Sequence, residues 1–272
     1  MIQYTFDPVS KRDGLVASLR EYAKNSGFTK VVLGISGGKD STVAAALCAR
    51  ALGPENVYGV LLPDGVQVDL ADSFKVVKSL GIQHRIVNIG AVHHAVLATV
   101  LRNEDPAESE FVFASDTEEV PSFFSDTEFE TVFHQESDFN IGPRLRMTVL
   151  RYIGQSLGAR LVGTGNLSEA TVGYCTKDGD TSCDFSLLGS LTSVEVVEVG
   201  LTMEEIPREL VVKTPTDGLS GKPDEERLGV TYRQIHDFLR LGSAGSEEVD
   251  RLIAHKQEMN RHKREPAVVI RG

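Results

Sequence analysis

The stretch of sequence that decides the fold is residues 29–52, TKVVLGISGGKDSTVAAALCARAL. Residues 29–35 form a short, apolar and largely β-branched run, which predicts a buried strand. Residues 41–52 are rich in alanine and contain no helix breaker, which predicts a helix. A glycine-rich turn joins the two. A strand that turns through glycines into a helix is the repeating unit of parallel α/β sheets, so this stretch predicts the fold class.

The same alternation continues on both sides of this stretch. Apolar periodicity predicts one helix before it and two strand–helix pairs after it. These segments are the helix at 9–25, the strands at 56–62 and 83–89, and the helices at 69–80 and 91–101. They predict an α/β fold with a doubly wound parallel sheet, helices on both faces and a single domain over residues 1–272. Such sheets bind ligands at the carboxyl ends of their strands.

An acidic segment interrupts the pattern. Between Glu104 and Asp138 there are 12 acidic residues, no Lys or Arg, and six of the twelve Phe. Because disordered segments are poor in aromatic residues, we interpret about 104–139 as an excursion loop that docks on the body or on a second subunit. An insertion without a role is the alternative. Beyond it we expect helices at 141–157, with Pro143 in the first turn, from 192, at 232–239 and at 247–262, and strands at 159–163 and 210–213.

Composition argues against several functional classes. The 272 residues include 28 basic and 39 acidic side chains, a net charge of −11, which is unusual for a nucleic-acid-binding protein. Apolar stretches fall short of the ~20 residues that a membrane span needs, and the N-terminus lacks the apolar core of a signal peptide. Cys48, Cys175 and Cys183 form no CxxC pair and are odd in number, which indicates a reducing compartment. We therefore expect a cytoplasmic protein without membrane or nucleic-acid partners.

The turn itself, GISGGKDS at 34–41, has the chemistry of a phosphate site. A helix N-terminus presents unpaired N–H groups and a positive dipole end, and Gly37 and Gly38 let an anion approach the backbone. Asp40 would repel phosphates unless a cation bridges them, so the residues suggest a Mg²⁺–polyphosphate site. The spacing fits neither a Walker A loop nor GxGxxG. An ordinary glycine turn with a polar cap is the alternative.

The turn resembles the pyrophosphate loop, Ser-Gly-Gly-x-Asp-Ser, of the ATP pyrophosphatase superfamily, whose members this loop alone does not distinguish. Further blocks, in this order and spacing, resemble the ammonia-dependent NAD⁺ synthetase family over residues 15–267. These blocks are NIGPRLRM at 140–147, GTGNLSE at 163–169, GYCTKDGD at 173–180 followed by Asp184, PTD at 215–217, PDE at 223–225 and HKR at 262–264. The resemblance implies a Rossmann-like fold of the adenine nucleotide α-hydrolase kind and a homodimer.

The resemblance also implies a reaction: amidation of deamido-NAD⁺ (nicotinic acid adenine dinucleotide) by ammonia, through an adenylated carboxylate, with release of AMP and pyrophosphate. ATP, the co-substrate, would be held by Gly34, Ile35, Ser36, Gly37, Gly38, Lys39, Asp40, Ser41, Thr164 and Thr216. Deamido-NAD⁺ would be held by Asn140, Arg144, Lys177, Asp184, His262 and Lys263. Mg²⁺ would be held by Asp40 and Glu169, which with Asp180 would be the catalytic carboxylates.

Two positions depart from the family pattern and leave alternatives open. Gly142 and Ser193 stand where the family has lysines. The alternatives are another pyrophosphate-loop enzyme that amidates or thiolates a different acceptor, and a catalytically silent nucleotide-binding homologue. Either Asp180 or Asp184 could take the proton from ammonium. The length leaves no room for a glutaminase domain, so free ammonia is the expected nitrogen source, with a separate glutaminase subunit as the alternative.

Overall fold

The computed structural model describes residues 4–66, 69–101, 134–215 and 224–271. The strands are β1 (Val31–Gly34), β2 (Val57–Leu61), β3 (Gln83–Ile86), β4 (Arg160–Gly163) and β5 (Phe185–Ser186). The helices are α1 (Pro8–Ser26), α2 (Lys39–Leu52), α3 (Leu70–Leu80), α4 (Gly90–Leu101), α5 (His134–Leu157), α6 (Leu167–Val172), α7 (Ser193–Gly200), α8 (Arg208–Val211), α9 (Asp224–Leu228), α10 (Tyr232–Leu241) and α11 (Glu247–Met259). Short 3₁₀ turns occupy Pro54–Asn56 and Arg261–Lys263.

The five strands form one parallel sheet in the order β3-β2-β1-β4-β5. The chain first builds outward from β1 to β3 and then returns to place β4 on the other side of β1. The strand order therefore reverses between β1 and β4, where Val31 lies opposite Arg160. The predicted doubly wound parallel sheet in a single domain is confirmed, and the switch point lies at the carboxyl ends of β1 and β4.

Both faces of the sheet are covered by helices. On β1, Val31 and Leu33 face a core shared with α1, α2, α3 and α7, whereas Val32 faces α5, where it joins Met147 and Leu150. All three β1 side chains are fully buried. Burial on both faces explains why this strand reads as an unbroken apolar run instead of an alternating one.

The C-terminal helices form a smaller third core beside the sheet. Val172 of α6 and Ile253 of α11 pack there with Tyr232 and Ile235 of α10. A buried carboxylate, Glu195, ties α7 to this group through an ion pair with Arg240. These contacts fix the position of α6, whose first turn carries residues of the predicted site.

Three predictions about local structure differ from what is found. Residues 210–213 are not a strand, because Arg208–Val211 form α8 and Leu210 is buried in the core that α1, α2, α3 and α7 share with β1. Helix α5 begins at His134, inside the range predicted as the acidic loop, and Pro143 lies within the helix instead of its first turn. Its polar first turns carry no apolar periodicity, so the pattern placed the start too late. The rest of the acidic segment lies outside the described residues.

Among the helices described, none combines the length and apolar character needed to cross a bilayer.

Alanine at two glycines should change stability in opposite directions. A Cβ at Gly59 in β2 would lie 2.9 Å from Ile35 Cγ1 and 3.2 Å from Val77 Cγ1, so Gly59→Ala should cost about 1–3 kcal/mol by overpacking. A Cβ at Gly14, inside α1, meets no atom within 4 Å, so Gly14→Ala should stabilise the fold by about 0.5–1 kcal/mol. Urea unfolding measures both. Wild-type stability in Gly59→Ala would contradict the packing described for β2, and a loss of stability in Gly14→Ala would contradict the open surroundings of Gly14.

Candidate active site

The glycine turn joins the carboxyl end of β1 to the first residue of α2. The hydroxyl oxygens of Ser36 and Ser41 lie 3.1 Å apart, and the Gly38 amide donates to Ser36 Oγ at 3.2 Å. Gly37 has a φ of 80°. A Cβ there would lie 2.8 Å from both Asp72 Cβ and Ser73 N of α3. Only glycine fits between the turn and α3, so this residue fixes the shape of the turn.

A cavity of about 570 Å³ opens at the carboxyl ends of β1, β2 and β4. One part of its wall is apolar, formed by Ile35, Val60, Leu62, Met147, Leu150 and Val162. The other part is polar and includes Gly34, Ser36, Gly38, Lys39, Asp40, Ser41, Asn140, Thr164, Glu169, Asp180 and Lys263. Most of the residues predicted for ATP and the metal therefore meet in one cavity at the switch point of the sheet.

Two predicted metal ligands, Asp40 and Glu169, are joined by Asn166. The Asn166 side-chain amide donates to Asp40 Oδ1 at 3.0 Å, and its backbone N–H donates to Glu169 Oε2 at 2.9 Å. In return, Asn166 Oδ1 accepts the Glu169 backbone N–H at 3.1 Å, which completes a capping box at the start of α6. Sequence reasoning did not single out Asn166, although Asn-x-x-Glu before an apolar run is a capping signal.

Two carboxylates, Asp40 and Glu169, lie near one ammonium, that of Lys39. Burial and the Asp40 charge raise the pKa of Glu169 to about 8. Burial alone would lower the pKa of Lys39, but Asp40 and Glu169 outweigh it and raise that pKa. The charge of Asp40 thus makes Glu169 harder to ionise, and a divalent cation between the two carboxylates would remove that cost.

The carboxylate oxygens of Asp40 and Glu169 fit a hard cation whose remaining ligands are substrate phosphates and water. No group of three or more His, Cys, Asp or Glu side chains in the described ranges is arranged to hold a metal unaided. Mg²⁺ is commonly bound through one or two carboxylates together with substrate phosphates and water. Asp40 and Glu169 match that pattern.

Asp180 and Asn140 are connected on a second side of the cavity. The Thr176 backbone N–H donates to Asp180 Oδ1 at 2.8 Å, and the Thr176 hydroxyl donates to Asn140 Oδ1 at 2.6 Å. Burial raises the pKa of Asp180. Lys263 reaches the same region, where its ammonium donates to the Gly173 carbonyl at 2.8 Å. These three predicted residues therefore lie together, although they come from distant segments.

Other predicted residues are not among the described residues that line the cavity. Arg144 is exposed and its Nε donates to the Lys177 carbonyl at 3.3 Å. Asp184 accepts the Leu161 backbone N–H at 2.8 Å and pairs with Arg151, which places it at the β4–β5 edge. The remaining cases are His262, which is exposed, and Thr216, which lies outside the described residues. The roles of these residues, like those of all the predicted site residues, stay predictions.

The cavity is also lined by cations that sequence reasoning did not assign. Arg146 donates from Nε to the Leu62 carbonyl at 3.0 Å, and Lys213 pairs with Asp69, just before α3, and with Asp72 in its first turn. Arg227 of α9 is the third. Arg146 stood in a quoted block and could have been noted there, whereas nothing in the sequence around Lys213 and Arg227 marks them.

The two departures from the family pattern have different surroundings. A Cβ at Gly142 would lie 3.4 Å from Arg146 Nη1 and 3.5 Å from Asp64 Oδ2, so this position adjoins a wall of the cavity. Ser193 is buried, and its backbone N–H donates to Ser168 Oγ at 3.0 Å. Ser193 does not belong to the described cavity wall.

A parallel sheet with this serine–glycine loop after its first strand, and with a carboxylate pair at its switch point, defines a nucleotide-binding α/β enzyme of the pyrophosphate-loop class. Residues 12–267 match the family model described as NAD synthase. The chain belongs to the NAD synthase family, a family of ligases, and the resemblance found in the sequence is confirmed.

Known proteins resemble the chain over nearly its whole length. An NH₃-dependent NAD⁺ synthetase of Archaeoglobus fulgidus is 33% identical over 260 residues, covering 93% of each chain. A solved NMN synthetase from Francisella tularensis has a TM-score of 0.81 at 28% identity and covers 98% of this chain and 99% of its own. NAD⁺ synthetase from Burkholderia pseudomallei has a TM-score of 0.71 at 25% identity, with 96% and 91% covered.

Without a bound cation, the free energy of unfolding should fall as the pH rises from about 5 to 8. The folded state keeps a proton on Glu169 up to a pKa of about 8, whereas the unfolded chain releases it near 4.5, so folding retains the proton across that window. Urea unfolding in EDTA across this range measures the slope for the wild type and for Glu169→Gln. The variant should have a shallower slope, with Asp180 supplying the remainder. Equal slopes would contradict the assigned environment of Glu169.

Proposed function

We propose that the chain catalyses the ATP-dependent amidation of deamido-NAD⁺ to NAD⁺ with ammonia. Membership of the family supports ammonia-dependent NAD⁺ synthesis in general terms. The observation that carries the proposal is the position of Asp40 and Glu169, both bonded to Asn166, beside the glycine turn in one cavity. That arrangement suits chemistry at a phosphate carried by a helix N-terminus.

The cavity offers separate environments for the parts of ATP. A purine is flat and largely apolar, so the apolar wall around Val60, Leu62 and Met147 suits the adenine. The phosphates suit the turn at 36–41, where backbone N–H groups and two serine hydroxyls provide donors. Lys39, Arg146 and Lys213 add positive charge along the wall.

The reaction has two stages. In the first, a nicotinate carboxylate oxygen attacks the α-phosphorus of ATP, the bond from that phosphorus to the bridging oxygen breaks, and pyrophosphate leaves. The amides at the start of α2 stabilise the charge of this leaving group. When bound by Asp40 and Glu169, Mg²⁺ supplies further neutralisation of the phosphates. In the second stage ammonia attacks the adenylated carbonyl carbon, the C–O bond to phosphate breaks, and AMP leaves.

Ammonium must lose a proton before it can attack, and Asp180 is better placed to accept it than Asp184. Asp180 lines the cavity and burial raises its pKa, which brings it closer to the working pH of a base. Both oxygens of Asp184 are already engaged, one by Arg151 and one by the Leu161 amide. Asp180 is therefore our candidate for the base.

Several partners follow from the proposal. The substrates are ATP, deamido-NAD⁺ and ammonia, either free or delivered by a separate glutaminase subunit. The family resemblance implies a homodimer, and the cysteine content favours the cytoplasm. The exposed Arg144 and the half-buried Lys177 would then meet the dinucleotide outside this cavity.

A second acceptor is favoured by one comparison. The solved structure with a TM-score of 0.81 is titled NMN synthetase, and NMN carries the same amidated pyridine on a mononucleotide. The corresponding substrate would be nicotinic acid mononucleotide, which lacks the adenylyl half of deamido-NAD⁺. The two-stage chemistry and the residues that perform it would be unchanged.

Asp40→Asn should reduce ATP–pyrophosphate exchange by about 10²-fold or more, because it removes the charge that holds a cation on the leaving group. The assay contains the acceptor acid, labelled pyrophosphate and no RNA, so exchange by the wild type would also exclude a pyrophosphate-loop enzyme whose acceptor is RNA. Asp13→Asn, on the exposed surface of α1, is the matched control and should keep wild-type exchange. Near-normal exchange in Asp40→Asn would refute the role of Asp40.

The two acceptors should be separated by kcat/KM in steady-state amidation assays with ammonium. If deamido-NAD⁺ is the substrate, its kcat/KM should exceed that of nicotinic acid mononucleotide by at least about tenfold, since the adenylyl half adds binding energy. The reverse ratio would establish the second candidate. ATP bound without turnover of either acid would instead support a catalytically silent protein.

A further inference from the structure

Lys39 is a buried cation close to the two carboxylates Asp40 and Glu169. Its side chain is 4% exposed, and its ammonium lies 2.5 Å from Asp40 Oδ2. The same ammonium lies 5.3 Å from the centroid of the Tyr232 ring, which offers it the face of an aromatic system. Glu169 and Asp224 are close enough to act on its charge. Lys39 therefore neutralises part of the centre when no metal is bound.

Both oxygens of Asp40 already have a partner in the structure. Oδ2 is held by Lys39, and Oδ1 accepts the hydrogen bond from Asn166. A divalent cation that binds Oδ2 would compete with the ammonium there, and one that binds beside it would meet its positive charge. The displaced ammonium would remain buried beside the incoming positive charge, and an unpaired buried charge is strongly unfavourable.

Nucleotide changes this balance. The phosphates of ATP bring anionic oxygens next to the turn, and they give the ammonium a new partner as the cation takes its place at Asp40. Lys39 also stands at the variable position of Ser-Gly-Gly-x-Asp-Ser, so the loop itself does not require a lysine here. The effect therefore depends on the residue at this position and not on the loop motif.

We propose that Lys39 is a resident counter-ion that competes with a divalent cation for Asp40 and so makes metal binding depend on nucleotide. The proposal rests on the assignment of Asp40 and Glu169 to a metal–ATP site. Lys39 acts here as a positioning residue, because it sets the order in which ligands enter.

The test is Mn²⁺ binding to the full chain, measured by calorimetry and by the electron paramagnetic resonance signal of free Mn²⁺, with and without ATP. In the absence of nucleotide, Lys39→Met should bind Mn²⁺ at least tenfold more tightly than the wild type. Lys263→Met is the matched control, because it removes the same charge from the same cavity but from an ammonium held by backbone carbonyls. It should change Mn²⁺ affinity less than threefold.

Thermal unfolding provides a second readout. Mn²⁺ alone should raise the unfolding midpoint of Lys39→Met more than that of the wild type, because the variant leaves Asp40 without its counter-ion. If the methionine variant does not fold, Lys39→Gln retains a hydrogen-bond donor for Asp40 without the charge and should give the same gain in Mn²⁺ affinity.

The outcomes separate two kinds of failure. Wild-type protein that binds Mn²⁺ only with ATP, with no tighter Mn²⁺ binding in Lys39→Met or Lys39→Gln, would overturn the role of Lys39 and leave the metal–ATP site intact. An equal gain in Lys263→Met would also overturn it, since any loss of positive charge would then suffice. Wild-type protein that binds no Mn²⁺ even with ATP would overturn the metal–ATP site and the Lys39 proposal together.

Discussion

The first turn of α2 sets the constraint on which the site depends, because the amides at a helix N-terminus need acceptors. Several other helices receive theirs from a capping side chain, namely α1 from Asp7, α6 from Asn166, α7 from Thr192 and α10 from Thr231. Helix α2 begins after Gly38, which has no side chain to offer. Since the adjoining turn opens into the cavity, an anion there is the acceptor that this terminus suits.

The topology of the sheet brings the carboxylates to the same place. Asp40 lies in the first turn of the helix after β1, and Glu169 lies in the first turn of the helix after β4. Because β1 and β4 are neighbours, the two helix starts adjoin. Asn166 then serves two purposes, since it caps α6 and holds Asp40 with the same side chain. A capping residue thus sets the spacing of the two acids.

The sheet and the glycine turn could be predicted from the sequence because the signal for each lies in consecutive residues. It misread 210–213, where the β-branched Val211 and Val212 resemble a strand but belong to or follow a short helix. It also could not rank Asp180 against Asp184, since residue type is the same and only the partners differ. The convergence of Arg146, Lys213 and Arg227 on the cavity arises from tertiary packing, for which no local pattern exists.

The pairing of β1 with β4 has a consequence for how the protein folds. Strands β1 to β3 follow one another closely along the chain, whereas β4 joins β1 only after a long crossover that contains the acidic segment. Contacts between distant parts of a chain form slowly because a large loop must close first. The closure entropy grows only with the logarithm of length, roughly 0.6 kcal/mol per doubling, so an insertion in this crossover is tolerated at little thermodynamic cost. The cavity lies across the junction of β1 and β4. A bound nucleotide would therefore contact both parts of the sheet and stabilise their association.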